Sequence, residues 1–154
     1  AFDEYDAHRL MQRYAQMTGE PLQSLQGTTG RLEPRSFQQH LEKVSRAWVQ
    51  EKVSAPDLES WKAFRTRVGR GIDDITTTTP RSQNVAVATS AGVIGAAVAH
   101  VLGLEDLAAL QLSYVVLNSA VTRVEFDGNR RTLASFNSTA HLERAGRREL
   151  LTYL

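Results

Sequence analysis

The residue best placed to meet an anion is Ser90. It stands in Thr89-Ser90-Ala91-Gly92, between a run of small apolar residues and a helix-forming run. A strand that passes through so tight a turn into a helix leaves the first helical N–H groups, those of Ala91, Gly92 and Val93, without carbonyl partners. With the positive end of the helix dipole they make a cradle for an anion, and Ser90 is a favourable cap. The plainer reading of Ser90 is an ordinary helix cap with no ligand. Thr89-Ser90-Ala91-Gly92 also superficially resembles a nucleophile elbow, but the glycine that would precede the serine is missing. The histidines are His8, His40, His100 and His141. Thr89 and His141 are auxiliary candidates, although a lone histidine without a carboxylate or metal partner more often hydrogen-bonds within the fold. His100, one turn before Gly103, favours the negative end of its helix and reads as structural. The absence of cysteine excludes a thiolate nucleophile, a disulfide framework and a sulfur-built zinc site. No Walker loop, dinucleotide-binding glycine fingerprint, His-Glu-x-x-His or Gly-x-Ser-x-Gly occurs.

The elements that must position this turn follow from the spacing of apolar residues. Leu10, Tyr14 and Met17 predict a helix over 4–17, followed by a loop over 18–34. Phe37, Leu41, Val44 and Trp48 form the stripe of a second helix over 35–53. Ser54 and Asp57, with Pro56 between them, look like the start of a third helix whose apolar face is Leu58, Trp61, Phe64, Val68, Ile72 and Ile75. Trp48, Trp61 and Phe64 at helical spacing are expected to be a packing core. The β-branched run Thr76–Thr79 and Pro80 should end that helix. Lys62, Arg65, Arg67 and Arg70 are read as part of a solvated mixed-charge face with Glu59, Asp73 and Asp74. Asn84–Thr89 reads as a short strand buried on both faces, and 92–102 as a helix ended by Gly103. A short helix over 104–113 should follow. Val121–Phe126 and Arg131–Phe136 are strand-like, and Asp127-Gly128 between them is a hairpin signal. A last helix is expected over 143–153.

The chain has 154 residues and 42% hydrophobic content, enough for one compact core. A single domain over 1–154 is therefore expected, with a helical portion over 1–80 and a strand-helix-hairpin portion over 81–154. The 18 Lys and Arg against 17 Asp and Glu give no general attraction to nucleic acid or to an anionic membrane, so any anion preference must be local. The longest apolar run, 85–104, is broken by Thr89, Ser90 and His100 and does not read as a membrane span. A cytoplasmic location suits the lack of cysteine. A parallel strand at Asn84–Thr89 needs partners, and the hairpin supplies one edge only, so the sheet looks incomplete. A second chain or a segment preceding these residues is expected to complete it, because a bare edge invites aggregation.

Val85-Ala-Val-Ala-Thr-Ser-Ala-Gly-Val-Ile94 with Ala99-His-Val-Leu-Gly-Leu104 resembles the second catalytic block of the histidine phosphatase superfamily, where a strand ends in Ser-His-Gly-Gly and a helix follows. Asn118-Ser-Ala-Val-Thr-Arg-Val-Glu-Phe-Asp-Gly128, Leu133-Ala-Ser-Phe-Asn137 and His141-Leu142 are similar to the family's final hairpin and its ending. The resemblance covers about 84–143 and implies an α/β, phosphoglycerate mutase-like three-layer sandwich, incomplete at the N-terminus and with a helical insertion before the core strand. It also implies action on phosphomonoesters through a histidine in an Arg-His-Gly motif, which this sequence lacks. The expected ligands are a small phosphorylated substrate or inorganic phosphate, bound by Ser90, Ala91 and Gly92; no cofactor is implied. The family's second histidine falls on Ser90, which removes a cation that would stabilise the transferring phosphoryl group. Phe2-Asp-Glu-Tyr-Asp6 is similar to a segment just after the family's acidic proton donor. In that alignment Ala1 takes the place of the acid, and Asp3 or Glu4 could serve only by a shift of register. The resemblance thus leaves two outcomes open: a phosphatase or mutase whose nucleophile lies upstream, and an inactive relative that binds a phosphate ligand or a protein.

Overall fold

A computed structural model of the chain describes residues 1–20, 34–128 and 130–152. The described residues form two compact units, one made of 5–64 and the other of 1–4 with 65–154.

In the first unit α1 (Ala7–Thr18) is capped by Asp6, whose carboxylate accepts from the Arg9 N–H at 2.9 Å, and ends at Gly19 in the left-handed conformation. The expected loop falls largely on 21–33, outside the described residues. Helix α2 (Pro34–Val49) carries Val44 and Trp48 into the core, as their spacing predicts. The third helix begins later than Ser54. Ser60 is its cap, accepting from the Ala63 N–H at 3.1 Å, and α3 runs Trp61–Thr78. Asp57 is unavailable for a first turn because its carboxylate is held by Arg13 at 2.6 Å and its carbonyl by Arg9 at 3.0 Å. The aromatic residues do form a packing core. Trp48 stacks edge-on with Trp61 at 5.2 Å between centroids, Tyr5 joins both Trp48 and Phe64, and the Trp48 indole N–H donates to the Glu59 carbonyl.

In the second unit α3 ends at Thr78, before Pro80. Helix α4 (Ala91–Leu102) ends at Gly103, whose positive φ supplies the cap the sequence predicts. Helix α5 (Asp106–Tyr114) packs against it, with Ala96, Val98, Ala99, Ala109 and Leu110 buried. The strands β1 (Val121–Asp127) and β2 (Arg130–Ser138) pair antiparallel about Val124 and Leu133, and Gly128 takes the positive φ of the turn. Alternation along β1 leaves Thr122, Val124 and Phe126 half-buried and Val121, Arg123 and Glu125 exposed.

Two expectations are corrected here. The segment 84–89 forms no strand among the described residues. Without a neighbour its backbone has no ladder to join, and Val85 and Val87 remain 48% and 43% exposed. The expected last helix is replaced by a short α6 (Ala140–Arg144), a left-handed Gly146 and a 3-10 turn at Arg148–Leu150; Tyr153 lies outside the described residues. The glycine stops a helix before it can start. Mixed helices with a small antiparallel sheet are consistent with the α/β class expected.

Gly95 sets the closeness of α4 to α5, because a Cβ on it would run into the carbonyl oxygen of Ala109. Gly95→Ala is expected to force the helices apart and lower stability by about 1–3 kcal/mol, read as a lower denaturant midpoint.

Candidate functional site

Helix α4, which carries the turn at its start, is held at both ends. At its far end, the His100 Nε2 lies 2.8 Å from the Asp73 carboxylate on α3. A Cβ on Gly69 would press on that imidazole at 2.9 Å, so α3 and α4 meet here with no space to spare. Arg131 on β2 joins the same carboxylate at 2.5 Å and donates through Nε to the Thr76 hydroxyl at 3.0 Å. One carboxylate thus links α3, α4 and the hairpin. The His100 imidazole and the Arg131 guanidinium hold the Asp73 carboxyl below its ordinary pKa.

At the near end Ser90 has extended backbone angles, φ −108° and ψ 172°, and α4 begins at Ala91. The Ser90 side chain makes no capping hydrogen bond. A remote group serves instead: the Gly92 N–H donates to the Glu4 carboxylate at 2.9 Å. Residues 1–4 are held against the unit by their backbone, since Arg67 donates to the carbonyls of Ala1 and Asp3 at 2.8 and 3.0 Å, and the Thr89 hydroxyl donates to that of Phe2 at 2.7 Å. Gly71 makes room for the Phe2 ring, which a Cβ would meet at 2.8 Å.

Beside the turn lies an open trench of about 780 Å³. One wall is the unpaired segment from Gln83 to Ser90 with Ala91 at the start of α4; the other includes Leu117, Asn118 and residues of both faces of β1, among them Val121, Thr122 and Val124. Asn137 supports that second wall from a left-handed position. Its side chain accepts from the Leu117 N–H at 2.8 Å and donates to the Val115 carbonyl at 2.6 Å. A smaller apolar cleft of about 170 Å³ includes Val85 and Val87 with Ile72, Ile94, Val124 and Phe126.

The other sequence candidates are distributed differently. His141 is exposed on α6 and does not line the trench. His8 is exposed beside Gln12, and His40 is buried edge-on to Tyr14, where desolvation lowers its pKa. Arg65 holds Asp106 at 3.1 Å and reaches the Leu104 carbonyl, so Arg65 and Arg67 serve as internal clamps instead of a solvated face. Sequence reasoning reached Glu4 only through a shifted alignment and missed its contact with Gly92, because the two are 88 positions apart. No group of three His, Asp or Glu that could hold a metal ion occurs among the described residues, and none of their helices is long and apolar enough to cross a membrane.

A family model described as histidine phosphatase superfamily (branch 1) matches residues 12–139, which include Ser90, α4 and the whole hairpin. The chain belongs to the histidine phosphatase superfamily. No curated protein and no solved structure matches it. Within this histidine phosphatase chain, the turn carried by the resemblance is therefore the extended-to-helix junction at Ser90, and both Glu4 and His141 lie outside the matched residues.

The shared carboxylate of Asp73 gives a measurable acid dependence. A folded-state pKa below the unfolded value means that its contribution is present above about pH 4 and is lost as pH falls further. Asp73 is 43% exposed, so the contribution is about 1 kcal/mol. Asp73→Asn should destabilise the protein by that amount at pH 7, and the difference from wild type should vanish near the acid end of a denaturation series.

Proposed function

We propose that this chain is the C-terminal part of a phosphomonoester-handling histidine phosphatase domain. An upstream strand would supply the nucleophilic histidine and the phosphate-binding arginines. The observation that carries the reading is the turn at Ser90, Ala91 and Gly92, whose Ser90 and Ala91 line a trench and which follows an extended segment with no strand partner among the described residues. Helix N-terminal amides bind phosphate oxygens through hydrogen bonds and the dipole, and the backbone does so whatever the side chain at position 90. Thr89 would be an auxiliary group at the rim.

The upstream strand would pair with the backbone of 84–89, cover Val85 and Val87, and extend the two-stranded sheet toward a phosphoglycerate mutase-like sandwich. A second chain could complete the sheet by the same strand addition.

A non-catalytic relative that binds a phosphate ligand or a protein is the second reading, and Ser90 favours it. A hydroxyl cannot supply the positive charge that the family places at this position. In the catalytic reading an upstream histidine nitrogen would form a bond to phosphorus as the ester P–O bond breaks and the alcohol leaves with a proton; water would then cleave the N–P bond to release inorganic phosphate, with the Ala91 and Gly92 amides stabilising charge on the phosphoryl oxygens.

The test is hydrolysis of a generic aryl phosphate by the longest natural protein that contains these residues. Turnover that disappears when the upstream histidine is replaced supports the catalytic reading. Absence of turnover, together with phosphate binding, supports the non-catalytic one.

A further inference from the structure

The unit formed by 5–64 holds one histidine in a place that suits only its neutral form. His40, on α2, keeps 9% of its surface, and its Nε2 is closed off from solvent with no hydrogen-bond partner among the described residues. A neutral imidazole tolerates this, because one ring nitrogen can go without a proton. An imidazolium carries an N–H on both nitrogens together with a charge, and a buried charged donor without an acceptor is costly. The ring it meets on α1 is Tyr14, which stands edge-on to the imidazole at 6.0 Å between centroids. Burial is the largest influence on the His40 pKa and pushes it below its ordinary value. Two charged side chains act on it as well. Glu20, just beyond α1, favours the proton, but its carboxylate is already bound by the Lys43 ammonium at 2.6 and 2.9 Å. Lys43, one turn along α2 and above the Tyr14 ring at 5.6 Å, repels the proton.

We infer that His40 is a proton-operated latch between α1 and α2: the neutral ring lets Tyr14 close against it, and protonation in mild acid releases α1 from α2. The unfolded chain takes up this proton near the ordinary histidine pKa of about 6.5, and the closed helix pair takes it up only at lower pH. Closure is therefore fully favoured above that value and weakens as pH falls through it toward the folded value. One proton changes the ratio of closed to open forms by at most about tenfold per pH unit. The other ties of α1, from Arg9 and Arg13 to Asp57, keep their charges in this range, because the Arg13 guanidinium holds the Asp57 carboxyl below its ordinary pKa. The window also lies above the acid range in which Asp73 acts, so the two effects separate.

The experiment follows amide hydrogen exchange of α1 at about pH 7.5 and about pH 5.5, corrected for the intrinsic pH dependence of exchange. It uses the longest natural protein that contains these residues, as wild type, His40→Gln, His40→Phe and His8→Gln. His8 is the exposed histidine of α1, so its variant removes an imidazole without touching the buried one. In wild type and His8→Gln, protection of the α1 amides should fall several-fold at the lower pH, and at most about a hundredfold, the one-proton limit over two units. In both His40 variants it should be equal at the two pH values. In wild type the His40 Cε1 proton resonance should also titrate below the ordinary histidine range. Constant α1 protection in wild type would overturn the inference, as would a fall that persists in both His40 variants or disappears in His8→Gln. A His40 resonance that titrates at or above the ordinary value would overturn it whether or not the variants fold.

Discussion

The structure around the turn depends on a rule of helix ends: the first N–H groups of α4 have no carbonyls within their own helix and must be given partners from elsewhere. Ser90 has the right chemistry to cap them but its side chain does not. Gly92 instead takes a carboxylate from a segment far away in sequence, whose backbone is held by Arg67 and Thr89. The opposite end of α4 is fixed by a different device, the Asp73 carboxylate shared between His100 and Arg131. A helix anchored at its last turn and hydrogen-bonded at its first is held in register against α3, and the turn before it inherits that rigidity.

The glycines show how closely this arrangement is packed. Gly95 lets α4 approach α5 to the backbone of Ala109, Gly69 makes room for the His100 imidazole, and Gly71 does the same for Phe2. None of these requires a positive φ. Their role is the space a side chain would otherwise fill, which is why single substitutions there act on the position of whole helices.

Local signals in the sequence were enough for the hairpin at Asp127-Gly128, the end of α4 at Gly103 and the stop of α3 before Pro80, because each depends on the conformational limits of one or two residues. The aromatic core was legible from the spacing of Trp48, Trp61 and Phe64. The start of α3 was not, since Ser54 and Asp57 form a plausible cap until Arg9 and Arg13 are seen to hold Asp57. Pattern also could not tell whether the apolar run 84–89 has a neighbour, because pairing is a property of the partner as much as of the strand. Of the candidate site, the turn itself was visible in the order Thr89-Ser90-Ala91-Gly92. Its occupant was not, because hydrogen bonds such as those of Gly92 with Glu4 and Arg67 with Ala1 join residues with no periodic relation.

The aromatic cluster has an optical consequence. Both tryptophans of the chain, Trp48 and Trp61, lie in the unit formed by 5–64, buried to within a few per cent of their surface, while the unit that carries α4 and the hairpin has none. Indole emission therefore has no reporter of its own in the part of the molecule that holds Ser90. A loosening confined to that unit, with the surroundings of Trp48 and Trp61 intact, would register in signals that report backbone order and not in a fluorescence trace.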